Sequence, residues 1–241
     1  MLQIINLKKI FKIQNNHNIA AIKNINFNCR KGQITGLIGP NGAGKTTTLR
    51  IISTIMNPTE GTVLFNNIDV RKEPNEIRRR IGFLTGSTGL YPNLTSIEIL
   101  NFFCSLYEVD KKKKVITDLI EMLDMESFVN KKVDSLSTGM RQKLSIARTI
   151  LHNPEFFILD EPMNGLDVLT SQSIRNFIIH EKKKGKCILL STHNMHEAEH
   201  ICDEIVLLHK GSIVTQGVPS ELIEKEKMKN LEEVFLNFIG N

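Results

Sequence analysis

Apolar and polar positions alternate along residues 2–11 and 21–29, a period that predicts two strands, with a polar turn at Gln14 to Asn18 between them. A short apolar run, GQITGLIG, covers 32–39 and ends in glycine. Lys45 to Met56 switches to helical spacing and predicts a helix that stops near Pro58. GTVLFN (61–66) and IGFLT (81–85) read as strands again. The middle of the chain, 87–152, changes character: Ser96 to Tyr107, Val115 to Leu123 and Gly139 to Leu151 all carry helical spacing. Strands resume at FFILD (156–160) and CILLS (187–191), with a helix between them. EIVLLH (204–209) and SIVTQG (212–217) predict a hairpin closed by Lys210-Gly211, followed by helices around 219–227 and 230–239. No internal repeat and no low-complexity linker breaks the pattern. The expected architecture is an α/β core interrupted by a mostly helical subdomain.

Composition narrows the class without deciding it. With 241 residues, 41% hydrophobic and 24% charged, the chain can bury a core of its own. A net charge of +5 fits a nucleotide-binding or membrane-surface protein. The cation runs Arg78 to Arg80, Lys111 to Lys114 and Lys182 to Lys184 have few interleaved aromatics, so they read as solvated helix faces and no nucleic-acid partner is expected. Cys29, Cys104, Cys187 and Cys202 form no C-x-x-C pair and read as core thiols in a reducing compartment. The start, MLQIINLKKIF, is a poor signal peptide, and no apolar run approaches the roughly 18 residues that span a bilayer. A cytoplasmic chain is expected, with any membrane role supplied by a partner.

GPNGAGKT (39–46) carries the most specific chemistry. Its glycines let backbone N–H groups turn inward around phosphate oxygens, and the helix behind it points its positive end at the anion. Lys45 is expected to reach the β- and γ-phosphates, and the Thr46 hydroxyl to hold Mg²⁺. The nucleotide-binding set is Gly39, Pro40, Asn41, Gly42, Ala43, Gly44, Lys45, Thr46 and Thr47. FFILDEP (156–162) is a buried strand ending in two carboxylates that point differently. Asp160 suits a hold on Mg²⁺, and Glu161 the polarisation of an attacking water. Acids before proline are also common at plain strand-end turns. His193, just past the strand LLST (189–192), is placed to reach the γ-phosphate, with a surface loop histidine as the alternative.

A second glycine-bearing helix start lies far downstream, in LSTGMRQKLSIAR (136–148). Taken with the phosphate loop, Asp160-Glu161 and His193, it makes the chain resemble the ATP-binding cassette (ABC) ATPases over essentially its whole length. LSTGM looks like that family's signature motif, matching at Ser137 and Gly139 and departing at Thr138 and Met140. The resemblance implies a P-loop NTPase core of α/β class, with an antiparallel β subdomain and an inserted helical, signature-bearing subdomain. It also implies one ABC ATPase domain over 1–241: nucleotide-binding core at 1–86 and 153–217, helical subdomain at 87–152, short C-terminal helices at 218–241.

In that family two cassettes pair head to tail, and the signature helix of one caps the γ-phosphate held by the other. Ser137, Thr138, Gly139 and Met140 would then contact a second copy's ATP. Phe11 matches the aromatic that stacks on adenine, although a core strand aromatic is an open alternative. Asp167 matches the aspartate of the dimer-contact loop, and Glu161 and His193 the catalytic glutamate and switch histidine. None of Lys45, Asp160, Glu161 or His193 is degenerate, which implies an active ATPase.

One departure stands out. The family usually places a glutamine after the strand at 81–85, and Gly86 stands there, so water, a backbone carbonyl, Ser87 or Thr88 is expected to replace it. IGFLTGSTGLYPNLT, LSTGMRQK and the 191–217 segment resemble exporter cassettes of the sodium-extrusion, NatA-like group. Sister groups exporting drugs, lipids or polysaccharides share much of this pattern. The implied partners are a second cassette, identical or related, and a separate integral membrane permease docking near Gly86 to Tyr107. The implied location is the inner face of the cell membrane. DNA-repair-like cassettes would need a long coiled coil between Lys45 and Ser137, where no sustained heptads occur, and translation-factor-like cassettes two copies. A small-molecule kinase would leave Ser137 to Met140, Glu161 and His193 without a joint purpose.

Overall fold

The computed structural model describes residues 1–12, 18–85 and 89–240. Two sheets form. The first is antiparallel, in the order β2 (Asn18–Cys29), β1 (Leu2–Lys12), β4 (Glu60–Phe65) and β5 (Ile68–Asp69). The second has six strands, in the order β10 (Ser212–Gly217), β9 (Glu204–His209), β3 (Ile34–Ile38), β8 (Cys187–Thr192), β7 (Phe156–Asp160) and β6 (Ile81–Leu84). All its pairings are parallel except the β9–β10 hairpin. Strands β3, β7 and β8 are buried at every residue, which is why their sequences are continuous apolar runs rather than alternations.

Helix α1 (Lys45–Ile52) follows β3, and α2 (Pro74–Arg80) precedes β6. Between β6 and β7 lie α3 (Ser96–Leu106), α4 (Lys112–Met122), a 3₁₀ turn at Val133–Ser135 and α5 (Thr138–Ile150). Helix α6 (Val168–Lys183) joins β7 to β8, α7 (Met195–Ile201) joins β8 to β9, and α8 (Pro219–Glu226) and α9 (Leu231–Ile239) follow β10. Thr95 and Glu98 start α3 with a reciprocal capping box. The helix expected from Lys45 to Met56 stops at Ile52, because Thr54 takes a left-handed backbone with φ of 64°. The helix expected from Val115 begins earlier, at Lys112.

Two apolar cores flank the six-stranded sheet. One joins the antiparallel sheet and α1 to Leu37, Phe156, Ile158 and Leu189. The other joins Ile34, Phe157, Leu159, Ile188 and Leu190 to Ile99, Leu100, Ile116 and Leu119 of α3 and α4. Neighbouring residues of one strand thus feed opposite cores, as the pleat requires. All four cysteines are buried. Burial pushes the thiols of Cys29, Cys104 and Cys202 up from their ordinary value, and that of Cys187 to about 12. Among the described residues no helix is long and apolar enough to cross a membrane.

Candidate functional site

Strands β3, β8 and β7 are adjacent and parallel, so their carboxyl ends open on one side of the sheet. Ligands of open α/β sheets bind at such ends. The chain leaves β3 into the loop 39–44, leaves β7 through Asp160-Glu161, and leaves β8 through Thr192-His193. Three segments far apart in sequence therefore meet.

The loop 39–44 turns tightly and feeds α1. Gly44 takes a left-handed backbone with φ of 108°, and a Cβ there would come within 2.6 Å of Ala21 O. Only glycine fits. No side chain caps α1, so its first N–H groups remain available to an anion. Residues 40–47 line a cleft of about 330 Å³ with Phe11, Ile19, Ala21 and Glu161. Phe11 is 36% exposed and stands at this cleft, with Lys9 Nζ 5.3 Å from its ring centre, which removes the core-aromatic alternative.

Lys45 is only 5% exposed. Its ammonium donates to Gly39 O at 2.6 Å and lies 3.4 Å from Glu161 Oε1. Glu161 Oε2 lies 2.8 Å from His193 Nδ1, so the carboxylate bridges lysine and histidine. Glu161 departs from the strand with φ of 49°, a left-handed conformation that costs a non-glycine residue about 1 kcal/mol or more. Its N–H is held at Ser191 O (3.0 Å) and Ser191 Oγ (3.2 Å).

Thr46 Oγ1 donates to Asp160 Oδ2 at 3.1 Å, and Ser191 Oγ donates to Asp160 Oδ1. A hydroxyl beside a carboxylate is a hard oxygen pair of the kind Mg²⁺ prefers, so the residues fit that ion. The His193 loop is fixed by a chain of small contacts. Thr192 Oγ1 accepts from Asn194 N (3.0 Å) and donates to Glu197 Oε2 (2.9 Å), and Asn194 caps α7 by accepting from Glu197 N (3.0 Å). Burial raises the Glu197 carboxyl above its usual range, against the opposing hydrogen bond from Thr192.

The signature residues are not in the cleft lining. Ser137 caps α5 by accepting from Met140 N at 3.2 Å, and Ser137 and Thr138 are exposed. Asp167 caps α6, accepting from Thr170 N (2.9 Å) and Thr170 Oγ1 (2.7 Å), and these two bonds lower its carboxyl below the usual range. Val168 and Leu169 beside it are 84% and 82% exposed. Gly86, Ser87 and Thr88 lie outside the described residues. Sequence reasoning passed over Ser191, Thr192 and Asn194. The signal for Ser191 was a hydroxyl in an otherwise apolar buried strand, which must find a partner.

Residues 22–164 match the family described as "ABC transporter". The chain belongs to the ABC transporter ATP-binding family. It is 37% identical over 222 residues to "ABC transporter ATP-binding protein NatA" of Bacillus subtilis, covering 91% of this chain and 90% of that protein. It is 32% identical over 237 residues to "Nod factor export ATP-binding protein I" of Cupriavidus metallidurans, covering 98% and 78%. A solved dimer of an ATP-binding cassette, in a post-hydrolysis state with ADP and Pi, superposes with a TM-score of 0.82 at 30% identity, over 90% of this chain and 98% of that one. This ABC protein is an ATPase with the P-loop fold, of the type that serves exporters.

Proposed function

We propose that the chain powers a membrane exporter as one of a head-to-tail pair of cassettes bound to a separate permease, with sodium as the leading candidate substrate. The observation that carries the reading is the Lys45–Glu161–His193 cluster at three adjacent strand ends, together with a capped signature turn that lines no part of its own chain's cleft. A site with its γ-phosphate cap missing is what a paired cassette needs.

In this reading the loop 39–47 cradles the phosphates through its N–H groups, and Phe11 stacks on the base. Lys45 leaves Gly39 O and Glu161 for the β- and γ-phosphates. That exchange frees the Glu161 carboxylate to take a proton from water, while His193 holds the γ-phosphate side. Thr46 and Asp160 hold Mg²⁺, which neutralises phosphate charge when bound. Ser137 to Met140 close over a second copy's nucleotide, and Asp167 shapes the loop between the two sites. ATP then favours the closed pair and hydrolysis the open one, which switches the permease.

The permease surface is the helical region. Tyr91 and Phe102 are exposed and meet edge to face, Phe103 lies under Arg148, and Tyr107 stacks on His152 at 4.1 Å. Exposed aromatics grouped this way suit a protein contact. The location follows: cytoplasmic, on the inner face of the membrane through the permease.

A pull-down of the tagged chain in mild detergent tests the assembly. A stoichiometric multi-spanning protein is expected, and ribosomal or DNA-associated proteins without one would overturn the exporter assignment. ATP-driven sodium movement in vesicles of the purified complex tests the substrate. Movement of a drug, lipid or polysaccharide instead would favour the sister exporter groups.

A further inference from the structure

The start of α5 is tied to the segment just after the catalytic strand by two separate contacts. Gln142 Nε2 donates to Pro162 O at 2.6 Å. A Cβ on Gly139 would lie 3.0 Å from Thr170 Oγ1 and 3.2 Å from its Cγ2, so the glycine lets α5 lie against the cap of α6. Between these points Met163 is buried, and Leu166 and Met140 pack on the same core. The 162–170 segment is therefore held to the signature helix at both ends.

Glu161 needs that hold. Its left-handed backbone persists only where neighbours over-determine it. Ser191 fixes its N–H, and Asn164 N donates to its own carbonyl at 3.2 Å. Beyond that local turn, the next carbonyl along is Pro162 O, and it takes the Gln142 amide. A proline offers no N–H of its own to steady the turn.

We propose that Gln142 is a positioning residue for hydrolysis. Its amide fixes the Pro162–Met163 peptide, one residue beyond Glu161, and so links that carboxylate to the chain's own signature turn. When a second copy's nucleotide seats on Ser137 to Gly139, the shift in α5 is felt at Glu161 of the same chain. The two sites of a pair then report on each other through a link that includes this hydrogen bond. The proposal rests on the catalytic assignment of Glu161 and on the pairing put forward above.

The test uses the full chain with Gln142→Met, which keeps side-chain length and removes the donor, and Gln142→Lys, which restores a donor. Gln142→Met should lower kcat for ATP roughly fivefold, the scale of one net hydrogen bond. Its Kd for a fluorescent ATP analogue and its Tm should stay at wild-type values, and the Hill coefficient of turnover should fall toward one. Gln142→Lys should recover most of kcat. Wild-type kcat in Gln142→Met, or a parallel loss of kcat, nucleotide affinity and Tm that lysine does not rescue, would overturn the proposal. Glu161→Gln is measured beside them. If it is inactive while Gln142→Met is normal, the linkage alone fails; if it turns over normally, the catalytic assignment beneath it fails.

Discussion

Helices α1 and α5 both open on a glycine-bearing turn, and they are furnished in opposite ways. Helix α1 has no capping side chain, and its first residue, Lys45, is buried against Gly39 O and Glu161. Helix α5 is capped by Ser137, and Ser137 and Thr138 at its start are exposed. An uncapped start in a cleft leaves its first N–H groups free to bind an anion. A start capped by Ser137 has one of its N–H groups, that of Met140, already satisfied, and keeps its dipole to offer an anion. The difference fits the proposed pairing, in which the first start holds the chain's own phosphates and the second is offered to another copy.

Four substitutions break or sharpen that contrast. Lys45→Ala should lower ATP turnover by on the order of a hundredfold or more and weaken nucleotide binding in the isolated chain, read by steady-state hydrolysis and titration. Normal affinity and turnover would remove Lys45 from the phosphate site. Glu161→Gln should cost a comparable factor in kcat, roughly a hundredfold, while nucleotide still binds, and size-exclusion chromatography with ATP should show a trapped pair. Ser137→Ala should lose about 1 kcal/mol of stability through the missing cap and weaken ATP-driven pairing, with nucleotide affinity of the single chain unchanged. A loss of that affinity would place α5 at its own chain's nucleotide.

The smallest effect is at Asp167. Its carboxyl is lowered in the folded chain, so its contribution is present above the unfolded value near 3.8 and is lost as pH falls through the folded one. Asp167→Asn still caps α6. Its stability deficit, seen as a urea midpoint, should therefore be small at pH 7 and shrink as pH falls below about 3.8. A deficit that grew in acid would contradict the capping account.

The long elements were legible because their apolar periods are long. The shorter β5, α2 and α7 were not: α2 buries only Ile77 and α7 only Ala198 and Ile201, too few positions to define a period. At the site, Lys45, Asp160, Glu161 and His193 could be read because each follows a buried strand or a glycine loop. The left-handed backbone of Glu161 and its simultaneous contacts with Lys45 and His193 could not, since they arise from the parallel register of β3, β8 and β7. Gln142 sits between Arg141 and Lys143 and reads as a solvent-facing residue until the fold brings Pro162 beside it.

The four buried, protonated thiols have a practical side. Alkylating reagents attack thiolate, and at neutral pH this protein offers almost none. A cysteine introduced at the exposed Val168 would take a maleimide dye against a silent background, with every native cysteine left in place. The chain is thus ready for fluorescence on single molecules, where the approach of two copies could be timed directly, turnover by turnover.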